Sequence, residues 1–385
     1  MQLFDDVQGN DTGPALHSEG SYAYYNRSAR PGVLGIRVLL QNWFDRYPAP
    51  GQAELLGRFK ADFDAAFFEL FLHELCLTLT IAVEPHPQLA SGTERRPDFR
   101  LLESGADSFL EARVARDQSD ARRKEEMVRA RLYDAINSLD VPDYFLHLER
   151  LELKSGKQPA IRPMIRDLQQ WINSLEYEHL SVHRDDPVQR ATMPVWTYED
   201  DHLSIRVSVF PVSPSRRGAP DHRPIGMFPI ESRWGGAVKS LKTALKRKGA
   251  KFGKFSVPYV IAVNSLSSWG FDRDEQLQAL FGSEHILVDP TSREHKLGRE
   301  PDGFWSGPRG PQHTRVSAVL FCQVSPWNVH QAQLGLYHNP WATFPYDGAL
   351  TRLAQAVPQV PHMLWVDGAS VGQLFGLSDG WLGED

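Results

Sequence analysis

Cysteine is nearly missing from this chain. Its 385 residues include Cys76 and Cys322 alone, each inside an apolar run. No C-x-x-C pair or zinc-type spacing exists, which excludes a disulfide framework and the common metal fingers. Two reduced, buried thiols are expected instead. Long apolar runs are missing too. None reaches the ~18 residues that a membrane span needs, so no membrane partner is expected. The first twenty residues carry Asp5, Asp6, Asp11 and Glu19 and lack the apolar centre of a secretory signal. A cytoplasmic protein of bacterial style is expected. There is no G-x-x-x-x-G-K-[ST] loop, which excludes a P-loop nucleotide motor. The histidines are scattered, and no zinc site is expected.

What is present is an ordinary globular composition, 41% hydrophobic and 23% charged, on a chain long enough for two or three domains. The net charge is −6, yet the charge is uneven. From Ser232 to Phe271 there are basic residues and no Asp or Glu. Seven of them are Lys239, Lys242, Lys246, Arg247, Lys248, Lys251 and Lys254. A solvated helix face is the plain explanation. The absence of acids nearby favours an anionic partner, since a local basic patch attracts phosphate even on an acidic protein. Trp234, Phe252 and Phe255 flank the run and suit stacking on unpaired bases.

Periodicity predicts helices over residues 35–47, 52–60 and 61–78, the last apolar nearly all round. Strands follow over residues 80–84, 96–102 and 108–114, then a helix from residue 119 or 120 to 139, a strand over 144–151 and a helix over 161–175. Residues 1–30 look irregular. The later part reads as a strand over 203–212, a basic helix over 237–248, a buried strand over 257–264, a short helix over 272–281, a long loop over 290–312 and a strand over 316–324. Three segments are expected: a helical N-terminal segment, 1–60; a core, 61–178; and an α/β extension with the basic helix, 179–385.

The most informative motif is Pro97-Asp98, followed thirteen positions later by Glu111-Ala112-Arg113. The acids fall at the ends of two adjacent strands that a tight turn can pair. Two carboxylates meeting there can hold a hard divalent cation against a phosphate. The alternative is a pair of surface carboxylates near a hairpin. Glu69 and Glu74, on the preceding helix, point about 140° apart by the helical period, so one of them at most faces that site. Arg96 precedes Asp98 and Lys124 follows Glu111, in basic clusters that would rim it.

The αβββαβ order of residues 60–175, with these two motifs, resembles the PD-(D/E)xK superfamily of nucleases. The resemblance implies an α/β fold with a restriction-endonuclease-like αβββαβ core and a mixed sheet, followed by a larger α+β C-terminal half. It implies Mg²⁺ (or Mn²⁺) held by Asp98, Glu111 and the helix acid Glu69, with Glu74 as substitute and the Ala112 carbonyl completing the shell. The sequence departs from the family at Arg113, where the pattern has Lys. Arginine stays protonated and cannot act as a base, but its fork of donors can hold a phosphate oxygen; Lys124 could reach in instead. The implied function is metal-dependent hydrolysis of phosphodiester bonds, DNA ahead of RNA, in bacterial defence or DNA processing. The alternative is a catalytically inactive nucleic-acid-binding or scaffold protein. Partner proteins or a homo-oligomer are compatible with either.

Overall fold

The computed structural model describes residues 1–5, 11–89, 96–103, 105, 107–116, 120–154, 159–183, 192–219, 223–229, 237–249, 255–266, 272–288, 295–359 and 362–383. Contacts divide them into a host unit (Met1–Gly13, Gly20–Asp117 and Gly235–Asp385) and an inserted unit (Pro14–Glu19 and Gln118–Trp234). Both are mixtures of helix and strand.

The host unit begins with four helices: α1 (Ser21–Arg27), α2 (Pro31–Arg46), α3 (Ala49–Ala61) and α4 (Phe63–Thr78). Prolines open α2 and α3, where a missing N–H costs nothing. Asp62 caps α4 by accepting the Ala65 N–H at 3.3 Å. Helix α4 buries Phe67, Phe68, Leu70, Phe71, Leu72 and Leu75. It is packed on more than one side, as its all-round apolar sequence requires. Strands β1 (Ala82–Pro85), β2 (Phe99–Leu102) and β3 (Ser108–Ala115) then form an antiparallel meander. Arg116, just past β3, pairs with Asp62 and Asp64 and ties that strand to the start of α4.

The chain next enters the inserted unit: α5 (Asp120–Asn137), β4 (Tyr144–Leu153), α6 (Ile161–Asn173), α7 (Tyr177–Ser181), β5 (Val195–Glu199), β6 (Leu203–Pro211) and β7 (Ile225–Met227). Its own four-stranded sheet runs β5-β6-β4-β7. Leu132 and Ile136 of α5 and Met164, Leu168 and Ile172 of α6 pack with Leu146, Leu148, Ile205 and Val207 of the sheet. The stretch Pro14–Glu19 joins this unit because the His17 and Ser18 amides donate to the Asp134 carboxylate at 2.7 and 2.8 Å.

The chain returns to the host unit with α8 (Ala237–Gly249), β8 (Tyr259–Ser265), α9 (Arg273–Phe281), β9 (Glu284–Val288), β10 (His295–Arg299), β11 (Ser306–Gly307), β12 (Gly310–Pro311), β13 (Ala318–Gln323), β14 (Gln333–His338), β15 (Gln355–Gln359), β16 (His362–Val366) and α10 (Val371–Phe375). Eight strands make one mixed sheet in the order β1-β2-β3-β8-β13-β14-β15-β16. Strand β8 runs parallel to both β3 and β13, so its two edges are paired and all seven of its residues are buried. A strand buried on both faces reads as a continuous apolar run, which is how Tyr259–Ser265 reads.

Two expectations are corrected here. The sequence order suggested that α5 and β4 complete the sheet of β2 and β3. Instead β4 pairs with β6 and β7 in the inserted unit, and the strand beside β3 is β8. The contact boundaries accordingly differ from 1–60, 61–178 and 179–385: the first two segments share one unit up to Asp117, and the core is completed after Gly235. Periodicity gives the type of an element but not the partner of a strand. The N-terminal stretch read as irregular holds α1, and the long loop over 290–312 holds β10, β11 and β12.

Candidate functional site

The register of β2 and β3 decides where the two acids go. Phe99 pairs with Leu110, and the next step along that ladder sets Asp98 opposite Glu111. Residues directly opposite in an antiparallel pair project to the same face. Phe99 and Leu110 face α4, where the Phe99 ring lies 6.3 Å from that of His73. Asp98 and Glu111 therefore project to the other face. Hydrogen bonds lock the two together. The Asp98 carboxylate accepts the Ala112 N–H at 2.6 Å, and the Asp98 N–H donates to the Glu111 carboxylate at 3.3 Å. Glu111 is fully buried and Asp98 is half-buried.

Arg113, two residues on, shares the face of Glu111 by strand alternation and is half-buried. The basic helix covers that same face. Leu241, Ala244 and Leu245 of α8 are buried with Ala115, Tyr259, Ile261 and Val263. Each leucine contributes about 2 kcal/mol by burial. Its apolar stripe fixes α8 on the sheet and turns Lys239 and Lys246 outward, both exposed. Lys242 is instead held by Asp302 at 2.8 Å. Arg247 and Lys248 lie within α8, and Lys251 and Lys254 lie outside the described residues. Arg96 is exposed just ahead of Asp98, and Lys124 is exposed on α5 of the inserted unit.

Glu69 occupies a different neighbourhood. Arg58 grips both of its oxygens, one at 2.7 Å, Tyr47 donates its hydroxyl at 2.9 Å, and the His86 Nε2 is 3.2 Å away. Burial pushes this carboxyl up, but the hydrogen bonds from His86 and Arg58 outweigh it and hold it at about 2. His86 is raised in turn, chiefly by that hydrogen bond. Glu74 pairs with Arg46 at 2.6 Å. The two helix acids thus meet separate arginines. The link from Glu69 to the pair runs through His86, whose backbone N–H donates to the Asp98 carbonyl at 2.9 Å. His86 sits between Pro85 and Pro87 with φ at +48°, in the left-handed region, which turns it away from the strand it follows.

Among the described residues, no group of three or more His, Cys, Asp and Glu side chains is arranged to hold a metal ion. The pair offers two carboxylates and the neighbouring main-chain carbonyls. That all-oxygen set suits Mg²⁺, which binds through one or two carboxylates and keeps water and phosphate in its shell. Among the described residues no helix is long and apolar enough to cross a membrane. Comparisons with protein-family models, with curated proteins and with solved structures find no match.

Three groups near the pair were not singled out in the sequence. His86 is one, and its position between two prolines is the only signal for it. Tyr259 is the second: burial raises its hydroxyl far above the usual range, and the Glu111 and Asp98 charges add to this. Arg315 is the third, since its charge acts on the same hydroxyl in the opposite sense. Two further patterns prove structural. Gly368-Ala369-Ser370-Val371-Gly372 has G-x-S-x-G spacing between a strand and a helix. Ser370, however, takes φ −75° and ψ 151° and caps α10 by accepting the Gln373 N–H at 3.3 Å, in a full capping box. A nucleophile elbow needs a strained turn that presents the hydroxyl, and Ser370 lacks one. His179 and His183, four apart, set their rings edge to face at 6.0 Å in and just after α7. Cys76 and Cys322 are free and buried, and burial pushes both thiols up.

Proposed function

We propose that the host unit is a metal-dependent nuclease of the PD-(D/E)xK kind, acting on DNA ahead of RNA in the cytoplasm. The αβββαβ order is supplied by α4, β1, β2, β3, α8 and β8, with the inserted unit entering between β3 and α8. One observation carries the reading: Asp98 and Glu111, opposite each other in register and joined by hydrogen bonds, form an oxygen-donor pair on the sheet face that the basic helix covers.

Asp98 and Glu111 hold the ion, with the Ala112 carbonyl as a third donor. A bound Mg²⁺ or Mn²⁺ supplies Lewis acidity and lowers the pKa of its water. Glu69 is left out of this set because Arg58, His86 and Tyr47 already engage its carboxylate. Arg113 carries a permanent charge and takes no proton from water; its guanidinium holds a phosphate oxygen. Lys239 and Lys246 contribute backbone contacts without sequence preference.

The test is cleavage of plasmid and single-stranded DNA with Mg²⁺ or Mn²⁺. Asp98→Asn and Glu111→Gln are expected to abolish it while the protein stays folded. Metal-dependent cleavage that survives both changes would sink the reading. Arg113, in place of lysine, favours a second reading: nucleic-acid binding without hydrolysis. Salt-sensitive binding with no cleavage by the wild-type chain, unaffected by Asp98→Asn, would select it.

A further inference from the structure

A cleft of about 770 Å³ lies in the host unit at the N-terminal ends of β8 and β13. Phe255 and Phe344 give it two aromatic walls, and Thr314, Thr343, His313 and Arg315 give it polar groups. Phe344 is partly exposed, with 37% of its surface open. The His313 ring stacks on Phe304 at 4.4 Å. Burial lowers its pKa, and the charges of Arg315, which lines the cleft, and of Lys246, exposed on α8, lower it further. Among the described residues that line the cleft, none is acidic.

The cleft adjoins the acid pair. The Phe255 ring meets Phe109 at 4.7 Å and Tyr259 at 5.0 Å. Phe109 precedes Glu111 by two residues, roughly 7 Å along the strand. The Tyr259 hydroxyl feels Glu111, Asp98 and Arg315 together.

We propose that this cleft is a nucleotide subsite that takes one unpaired base with its 5′-phosphate. The base stacks on Phe255 or Phe344, and the phosphate meets Arg315 and Lys246. Aromatic faces beside fixed cations are the combination that holds single strands, because every base offers a π-face and every nucleotide a charge. The His313 ring, in the lining, offers ring nitrogens for a hydrogen bond to a base edge. The size suits one small ligand. The inference rests on the nuclease reading for its choice of ligand class. It deepens that reading by making the strand next to the scissile bond unpaired.

The probe is 2-aminopurine deoxyriboside 5′-monophosphate, titrated into the full chain in EDTA, with quenching of its fluorescence as readout. Saturable quenching is expected. The nucleoside lacking phosphate, and the exposed-site variant Lys246→Ala, should each bind about tenfold more weakly, the scale of one charge-assisted hydrogen bond. Phe344→Ala should remove most of the quenching. Asp98→Asn should leave binding unchanged, since the metal pair takes no part. Equal affinity for nucleotide and nucleoside overturns the proposal without any variant. So does an unquenched probe at millimolar concentration. Quenching without cleavage leaves the subsite standing and removes the nuclease; cleavage without quenching does the reverse.

Discussion

Two buried carboxylates of the host unit, Glu69 and Glu111, are handled in contrasting ways. Glu69 is 3% exposed and enclosed by a guanidinium, an imidazole and a phenol. Glu111 has no exposure and shares its corner with a second carboxylate, that of Asp98. A buried charge needs a partner. At Glu69 the fold provides cations as part of its own structure, which makes a rigid joint between α3, α4 and the end of β1. At Glu111 the fold sets a second carboxylate, that of Asp98, beside the first, an oxygen-donor pair that holds an ion under the proposed function. Substitutions at the two places should therefore fail differently.

The largest difference is expected in activity. Glu111→Gln should lower metal-dependent cleavage on the order of a hundredfold or more, the scale of losing one preorganised electrostatic group. Glu69→Gln should reduce it only in proportion to the fraction of protein folded. If Glu69→Gln abolishes the turnover of fully folded protein, the contrast is broken and Glu69 returns to the metal set. Stability should show the opposite ranking. Arg58→Met leaves Glu69 buried without its main partner and should lower the free energy of unfolding by about 3 kcal/mol. Asp98→Asn should change it by less than about 1 kcal/mol, the scale of one hydrogen bond, and urea titration reads both.

The pH response sharpens the comparison. His73, on α4 beside Tyr47, is pulled by burial down to about 4, with Arg46 lowering it further and Glu69 opposing. A histidine whose folded pKa lies below its unfolded value contributes stability that is full above about 6.5 and is lost as pH falls toward 4. The loss should amount to roughly 2–3 kcal/mol, since each tenfold change in proton affinity is worth about 1.4 kcal/mol. His73→Phe should flatten that part of the stability profile. Glu69 acts in a lower window, since its depressed carboxyl gives stability that is lost as pH falls from about 4.5 to about 2. The smallest effect is expected on the surface of α8. Lys239→Ala and Lys246→Ala should each reduce the salt dependence of DNA binding by about 0.9 in log–log slope.

Much of the local structure was legible in the sequence. The strand carrying Glu111 lies close to its expected bounds, and the other begins at Phe99, just past Asp98; their convergence follows from a thirteen-residue spacing around a short turn. The basic helix and the buried strand after it also announce themselves, through a gap in acidic residues and an unbroken apolar run. Pairing across long separations was not legible. Leu148 and Val260 both belong to apolar strands, and nothing in either run says that one joins β6 and the other β3. The environment of Glu69 was hidden for the same reason. Arg58 is eleven residues away on another helix and His86 seventeen residues away past a strand, so no periodicity within one element links either of them to Glu69. The subsite cleft draws on Phe255, Arg315 and Phe344, which only the completed sheet brings together.

The Ser240 hydroxyl donates to the Arg116 carbonyl at 3.1 Å, so the chain leaves the host unit and re-enters it at neighbouring points. On the ribosome this has a temporal meaning. Glu111 must wait for Ile261, 150 residues later (261 − 111), before its strand gains its parallel neighbour. At ~5–20 residues per second, the growing chain carries that strand with one edge open for roughly eight to thirty seconds. Aggregation during synthesis is thus the hazard this architecture has to manage, and the intervening unit, whose last strand β7 precedes β8 in the chain, is free to begin folding while its host is still waiting.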